Sequence, residues 1–421
     1  MFGLDDWTER QFLRYASPGI ANIESTDLRL VVIDPVDNGP LGEFTGDAWR
    51  GHHARMIDRL RGAGAPVVAF DLFFPSPDEA NVPLNELFAQ AVSQSRSSGT
   101  TEVIIGVNKR DRVNETLTAV MPIREMALVN IRRTTESTTE TAFDTRVVLA
   151  EAYEADGPVT SQRLVRPLSI PLAIYLAHEG LSIADTVITI DSSRRKLVIQ
   201  QPDSQSITIE VEIEMCATSK DGCEASFEEP KAHEKYLVRA LLPFWIQDTT
   251  GFNPRRYDEV LGRENISDFA GKTAIIGAMT EEEKVNVGPT SDGTTIYGFH
   301  IVAQVVSDLI RGTYLRKVGA AWQFGIIVLM VIFGTVASLK LPKTEIPVPI
   351  IVKMSLPFGF FIVTAVFLLA VLFVFRNSRH LLDLNYHLLA LVAGYFVIAP
   401  RIGPAKGNSP IRPRRRWRRD V

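Results

Sequence analysis

Through residue 317 the chain alternates short apolar blocks with polar and glycine-rich ones, and beyond it the apolar blocks lengthen into three stretches that end in a run of arginines. The early blocks have two periods. Residues 28–34 (LRLVVID), 66–74 (PVVAFDLFF), 102–107 and 272–278 (KTAIIGA) are continuous apolar runs short enough to be strands buried on both faces. Between the first two, Trp49, His53, Met56, Ile57 and Leu60 recur at helical spacing over residues 47–60, and Gly62 and Gly64 follow as stop signals. Residues 84–95, 170–177 and 298–310 repeat the helical pattern.

A strand, a helix and a strand joined by short links predict a βαβ unit, and so a parallel sheet with right-handed crossovers. Residues 110–270 are less regular. Residues 187–213 read as β-rich, with VITIDSSRRKLVIQ patterned as a hairpin and SITIEVEI following it. The expected fold class is α/β: a mostly parallel sheet flanked by helices, with an inserted β-rich part, followed by three transmembrane helices.

The stretches 318–339 and 354–375 each hold 22 uncharged residues, and about 20 suffice to cross a bilayer. Residues 384–400, with Asn385 and His387 inside, form a weaker third span. With three spans, the first loop and the tail share a side that carries eleven Lys and Arg, against five on the other. The positive-inside rule then places the tail, 401–421, in the cytoplasm and residues 1–317 outside it. Formal charge agrees: the chain carries −4, its last 21 residues +7 and the preceding 400 residues −11. An acidic outer domain excludes nucleic acid as its partner, and the basic tail reads as a stop signal beside anionic lipid.

Two cysteines, Cys216 and Cys223, lie in the outer region, where an oxidising compartment favours a local disulfide; no metal site is expected. The opening residues MFGLDDWTERQFLRY have no basic n-region and no apolar h-region, so a start upstream with a signal anchor is expected.

The run IDPVDNGPLGEF, then WRGHHARMIDRLRGAGAPVVAFDLFF, carries a family resemblance. A strand ends in Asp34, Arg50 with His53 and Ala54 opens a helix, Leu60 to Ala65 forms the turn, and Phe70 and Asp71 end the next strand. GKTAIIGA at 271–278 and YGFHIVAQVVSDLIRGTYL at 297–315 complete the pattern. Over residues 25–110 and 255–400 the chain resembles the CHASE2 domain, an extracytoplasmic sensory module of bacterial membrane receptors. The resemblance implies an inner-membrane sensor with three spans after the domain. Members of this family begin with a membrane anchor, and many continue into a kinase, cyclase or other output domain. Here only the basic tail follows the last stretch, so either a separate cytoplasmic output protein is the expected partner or the chain is a truncated or degenerate relative, with a homodimer as the expected assembly.

Asp34 and Asp71 end two strands read as neighbours, at the edge where open α/β sheets gather ligands. Together with Arg50 and His53 they form the candidate ligand site. The alternatives are that each carboxylate caps a turn and that His53 is a packed core histidine; beside a carboxylate, its pKa would instead rise and respond to mild acid. No catalytic set or cofactor motif can be assembled: Gly271-Lys272-Thr273 lacks the glycine a P-loop needs five positions earlier, where Ile266 stands, and no G-x-S-x-G or H-E-x-x-H occurs. The expected function is sensing of an unknown small ligand or envelope signal, and the alternative is a non-sensing interaction protein of the envelope. A hydrolase or transferase at the Asp34/Asp71 edge ranks third.

Overall fold

The computed structural model describes residues 27–107, 114–129, 146–154, 162–165, 167–191, 196–200, 206–216, 235–241, 254–262, 265–280, 284–286, 295–312, 316–340, 345–348, 354–378, 380–382 and 384–398. Residues Ser17–Arg316 and Lys317–Val421 belong to separate compact units.

In the first unit the apolar runs become strands and the periodic segments helices, in the expected places. The order is β1 (Leu28–Ile33), α1 (Arg50–Gly62), β2 (Val67–Phe73), α2 (Val82–Ser98), β3 (Glu102–Val107), α3 (Glu115–Val120) and β4 (Ala127–Leu128). The insertion follows as β5 (Arg146–Glu154), β6 (Gln162–Val165), β7 (Leu168–Ser169), α4 (Ile170–His178), β8 (Val187–Asp191), β9 (Lys196–Gln200), β10 (Ile207–Glu210), β11 (Glu212–Cys216) and β12 (Lys235–Leu241). The chain then returns through β13 (Arg255–Arg256), α5 (Tyr257–Gly262), β14 (Thr273–Ala278) and α6 (Gly298–Arg311).

One sheet is parallel throughout, in the order β13-β1-β14-β2-β3-β4-β7. Its two faces follow from the pleat, which sends alternate side chains to opposite sides. Val31, Ile33, Val68, Phe70 and Ile276 meet α1, α2 and α5 through Met56, Leu60, Phe88, Val92 and Tyr257. Leu28, Leu30, Val67, Ala69 and Ile275 point the other way, onto α4 and α6. Both faces are covered, which explains why these strands read as unbroken apolar runs.

The strand order corrects one expectation. β1 and β2 are linked by α1 but are not neighbours, because β14, from much later in the chain, lies between them. Local periodicity carries no information about which distant strand takes that slot. Two glycines make close packing possible at this level of the sheet. A side-chain carbon on Gly277 of β14 would strike the ring of Phe299 in α6, and one on Gly106 of β3 would strike the Leu72 carbonyl, where β2 bulges between Phe70 and Phe73.

The insertion forms a second, antiparallel sheet, β10-β9-β8-β6-β5-β12-β11. The expected hairpin is β8 with β9, closed by Asp191 opposite Lys196. SITIEVEI is not one strand. β10 pairs with β9 at one edge of the sheet and β11 with β12 at the other, although only Val211 separates them. The two edges of the sheet are thus joined by a single residue, so the sheet must curl to bring them near one another. Leu197, Ile199, Ile209 and Val211 join the cluster that contains α4 and α6. Cys216 ends β11, while Cys223 lies outside the described residues, as do the N-terminal segment and the basic tail.

The second unit contains α7 (Ala320–Lys340), α8 (Phe358–Ser378) and α9 (Leu384–Val392), the last continued by a π-helical turn over Ala393–Ile398. Among the described residues, one helix is long and apolar enough to cross a membrane: Ala321–Lys340, of 20 residues and mean hydropathy 2.0. Phe360–Phe375 and Leu384–Ile398 are shorter apolar helices. The stretch expected to begin as a helix at residue 354 starts differently. Met354–Pro357 pairs with Glu345–Val348 in an antiparallel ribbon and the helix begins at Phe358, because proline breaks a helix interior but is tolerated at its boundary.

Gly334 of α7 and Gly394 beyond α9 allow these two segments to touch backbone to backbone; a side-chain carbon at either would strike the carbonyl of Leu391 or Val331. The Thr335 hydroxyl donates to Val331 O at 2.8 Å and to Gly394 O at 3.3 Å, across the same contact.

Candidate functional site

At the carboxyl edge of the parallel sheet the polypeptide leaves β1 for α1 on one face and leaves β14 for α6 on the other. Adjacent strands whose connections diverge to opposite faces open a crevice, and the expected carboxylates flank it. Asp34 follows β1 and Asp71 lies on β2, level with Gly277 of β14. The pleat sends Asp71 toward the α6 face, in phase with Val67 and Ala69, whereas Asp34 lies one residue past the end of β1.

They are not neighbours as expected. Two strand spacings of about 4.8 Å and a two-residue offset of about 3.3 Å per residue separate their Cα atoms by about 12 Å, too far for one cation to bridge. Asp34 also has a local task. Its Oδ1 accepts from the backbone N–H of Val36 at 2.9 Å and of Asp37 at 3.0 Å, and these bonds, Asp37 first, lower its pKa below the usual carboxylate value. Asn38 completes the turn by accepting from Asp34 N at 3.0 Å and donating to the carbonyls of Asp34 and Gly42. Asp34 therefore does what the turn-capping alternative describes. Asp71 is buried, 8% exposed.

Arg50 and His53 open α1 in two unrelated environments. Arg50 is 1% exposed, and its guanidinium donates to Asp47 Oδ1 at 2.6 Å, to Asn85 Oδ1 on α2 and to the Pro75 carbonyl in the loop after β2. Asn85 and Asn114 exchange amide bonds, and Asn114 Oδ1 caps α3 through Thr116 N and Leu117 N. One arginine thus pins α1, α2, the β2 loop and the start of α3 together. Burial lowers its pKa and Asp47 opposes that, so it stays a cation with its partners already in the fold.

Among the described residues, His53 has no carboxylate partner. Its Nδ1 meets Tyr257 Oη at 2.8 Å, and the rings of Phe70, Phe74 and Tyr257 stand 5.3–5.6 Å from its own. Full burial, then the charges of His52 and Arg50, push its pKa down to about 3, and burial pushes Tyr257 well above the usual phenol value. The expected rise is reversed, because desolvation in an aromatic cage disfavours imidazolium and no anion offsets it. A second buried histidine, His300 at the start of α6, is lowered by burial to about 4.

Sequence reading missed Asn85, Asn114 and Tyr257. Asn114 had a local signal, a helix-capping residue before E-T-L, whereas Tyr257 reaches His53 from 204 positions away with no pattern linking them. Among the described residues, no group of three or more His, Cys, Asp or Glu is placed to hold a metal ion.

A doubly covered parallel sheet with a curled antiparallel insertion, and a polar cluster spent on holding helices in place, define an α/β domain organised around conformation. The family model of the CHASE2 domain matches residues 4–337, through most of α7. The chain belongs to the CHASE2 domain family, whose members are extracytoplasmic sensory domains, and this supports a sensor role. Neither curated proteins nor solved structures yield a match.

Proposed function

We propose that the chain is a membrane-anchored sensor. The α/β domain lies outside the cytoplasm, and Val318–Leu339, Met354–Phe375 and Leu384–Pro400 hold it in the inner membrane by three passes, the second with its helix from Phe358. It binds a small ligand or senses an envelope signal and passes the response to a cytoplasmic partner, working as a homodimer and catalysing no reaction. The family match carries this reading, together with the outward display of apolar side chains on the helical unit: Phe324 is 68%, Leu369 65% and Phe373 70% exposed, surfaces that hydrocarbon would cover.

The route for a signal follows from chain order. Phe299 seats α6 against Gly277 at the centre of the sheet, and α6 ends at Gly312 in a left-handed cap, φ 62°, shortly before α7. A stimulus that favours one of two arrangements of the domain would shift α6 and, through this short junction, the first span.

The test inserts a long Gly/Ser linker after Gly312 and reads stimulus-dependent output from a reporter domain fused behind residue 421. Output should be lost while the unfolding midpoint of the α/β domain is unchanged. Full output with the linker in place would overturn the coupling.

A further inference from the structure

One cavity among the described residues is lined by neither Asp34 nor Asp71. It is a groove of about 460 Å³ between the outer surfaces of α1 and α2. One wall is apolar, with Leu84, half-exposed Leu87 and Ala91 of α2. Gly51 of α1 lets the two helices approach there, since a side-chain carbon would stand 3.1 Å from Leu84 Cδ2.

The polar groups are arranged as donors around one unmatched charge. Asp58 on the α1 side is paired with Arg61 at 2.7 Å. Arg55 makes no ion pair among the described residues, and its one recorded hydrogen bond goes to His52 Nδ1. Arginine can only donate, so Nδ1 accepts and the imidazole hydrogen sits on Nε2. Burial, then Arg55, lowers the pKa of His52, which keeps that ring neutral. Gln90 and Gln94, one helical turn apart on α2, add two amides to the lining.

We propose that this groove binds a small organic monocarboxylate, with its carboxylate on Arg55 and its apolar body against Leu84, Leu87 and Ala91. A guanidinium presents paired N–H groups that match a carboxylate's two oxygens. A single unmatched cation suits a monoanion, and a bare dianion would lack both a second cation and a use for the apolar wall. The volume lies within the range of about 300–1,000 Å³ common to small-molecule sites. The sensor reading is needed only for the consequence of binding: a ligand wedged here loads the α1–α2 contact that Arg50 and Asn85 hold from beneath.

The experiment uses the full chain in lipid nanodiscs, with phenylacetate and hexanoate as probes and sulfate as the bare-anion control, followed by ligand-observed NMR. Phenylacetate should bind with Kd on the order of 0.1–1 mM. Arg55→Gln and Leu87→Asp should each weaken it about tenfold or more, while Lys272→Gln, outside the groove, leaves it within about twofold. Arg55 and Leu87 are surface positions, and an unchanged unfolding midpoint shows that the variants fold. Absence of binding by both organic acids at about 10 mM, equal affinity for sulfate, or indifference to Arg55→Gln would overturn the proposal. So would an Arg55→Gln variant that alters the oligomeric state but not probe binding, because the groove would then be a contact between copies. Intact binding with no change in reporter output would instead sink the sensor reading and leave the site standing.

Discussion

β14 and α7 are two apolar segments with opposite fates. Every residue of β14 is buried, between strands on either side and helices on both faces. On α7, Phe324 is 68% and Leu329 60% exposed, and contact with its own unit is concentrated on a narrow face around Gly334 and Ala337. Apolar composition alone therefore does not say where a residue ends up. The strand is apolar because protein surrounds it, whereas the helix leaves its apolar side chains bare, the surface that the proposed membrane would cover.

The largest effect separates the two environments directly. Phe70→Ala empties a fully buried site in the sheet and should cost the α/β domain about 3–5 kcal/mol, read by chemical denaturation. Phe333→Ala on α7 should leave that transition where it is; an equal loss from both would erase the contrast. Next in size, Leu329→Arg should oppose membrane insertion by about 2.5–3.5 kcal/mol and shift the chain toward the carbonate-extractable fraction. Unchanged membrane retention would mean that α7 does not face lipid.

Smallest over any single pH unit is the effect of acid. His53 is held at about 3 in the fold, against an ordinary 6.5, so the unfolded chain takes up the proton first. Stability from this group is intact above about pH 6.5 and falls on the order of 1 kcal/mol per pH unit as the pH drops toward 3. His300, at about 4, adds a slope of the same sign. His53→Gln keeps a group that can bond Tyr257 but does not titrate, so its denaturation midpoint should fall less steeply between pH 6.5 and 4. An identical slope would show that His53 is not the group responsible.

Much of the α/β unit was legible because its signals are local. Buried parallel strands are continuous apolar runs, and α1, α2, α4 and α6 carry their periodicity within a few turns. The short strands β4, β7 and β13 were not legible, since two residues have no period and pair only because a longer strand already offers them an edge. The candidate site was legible only in part. The residue types at Asp34, Arg50, His53 and Asp71 drew attention, but the turn that occupies Asp34, the cluster that uses Arg50 and the cage that silences His53 all involve partners chosen by packing. The groove that carries Arg55 was invisible as a site, because its walls come from two helices whose relative placement depends on Gly51, Arg50 and Asn85.

Sequence by itself determined where the longer strands and helices of the α/β unit lie, that residues 321–340 are apolar enough to enter a bilayer, and the family to which the chain belongs. Those properties rest on side-chain periodicity, on the length of uncharged runs and on short motifs, all of them readable along the chain. Only the tertiary structure decided that β14 divides β1 from β2, that the strand broken at Val211 supplies both edges of the antiparallel sheet, and that a histidine near the start of the domain is paired with a tyrosine near its end. These contacts join positions far apart in the chain, where the free energy of packing selects the partner and no local pattern records the choice.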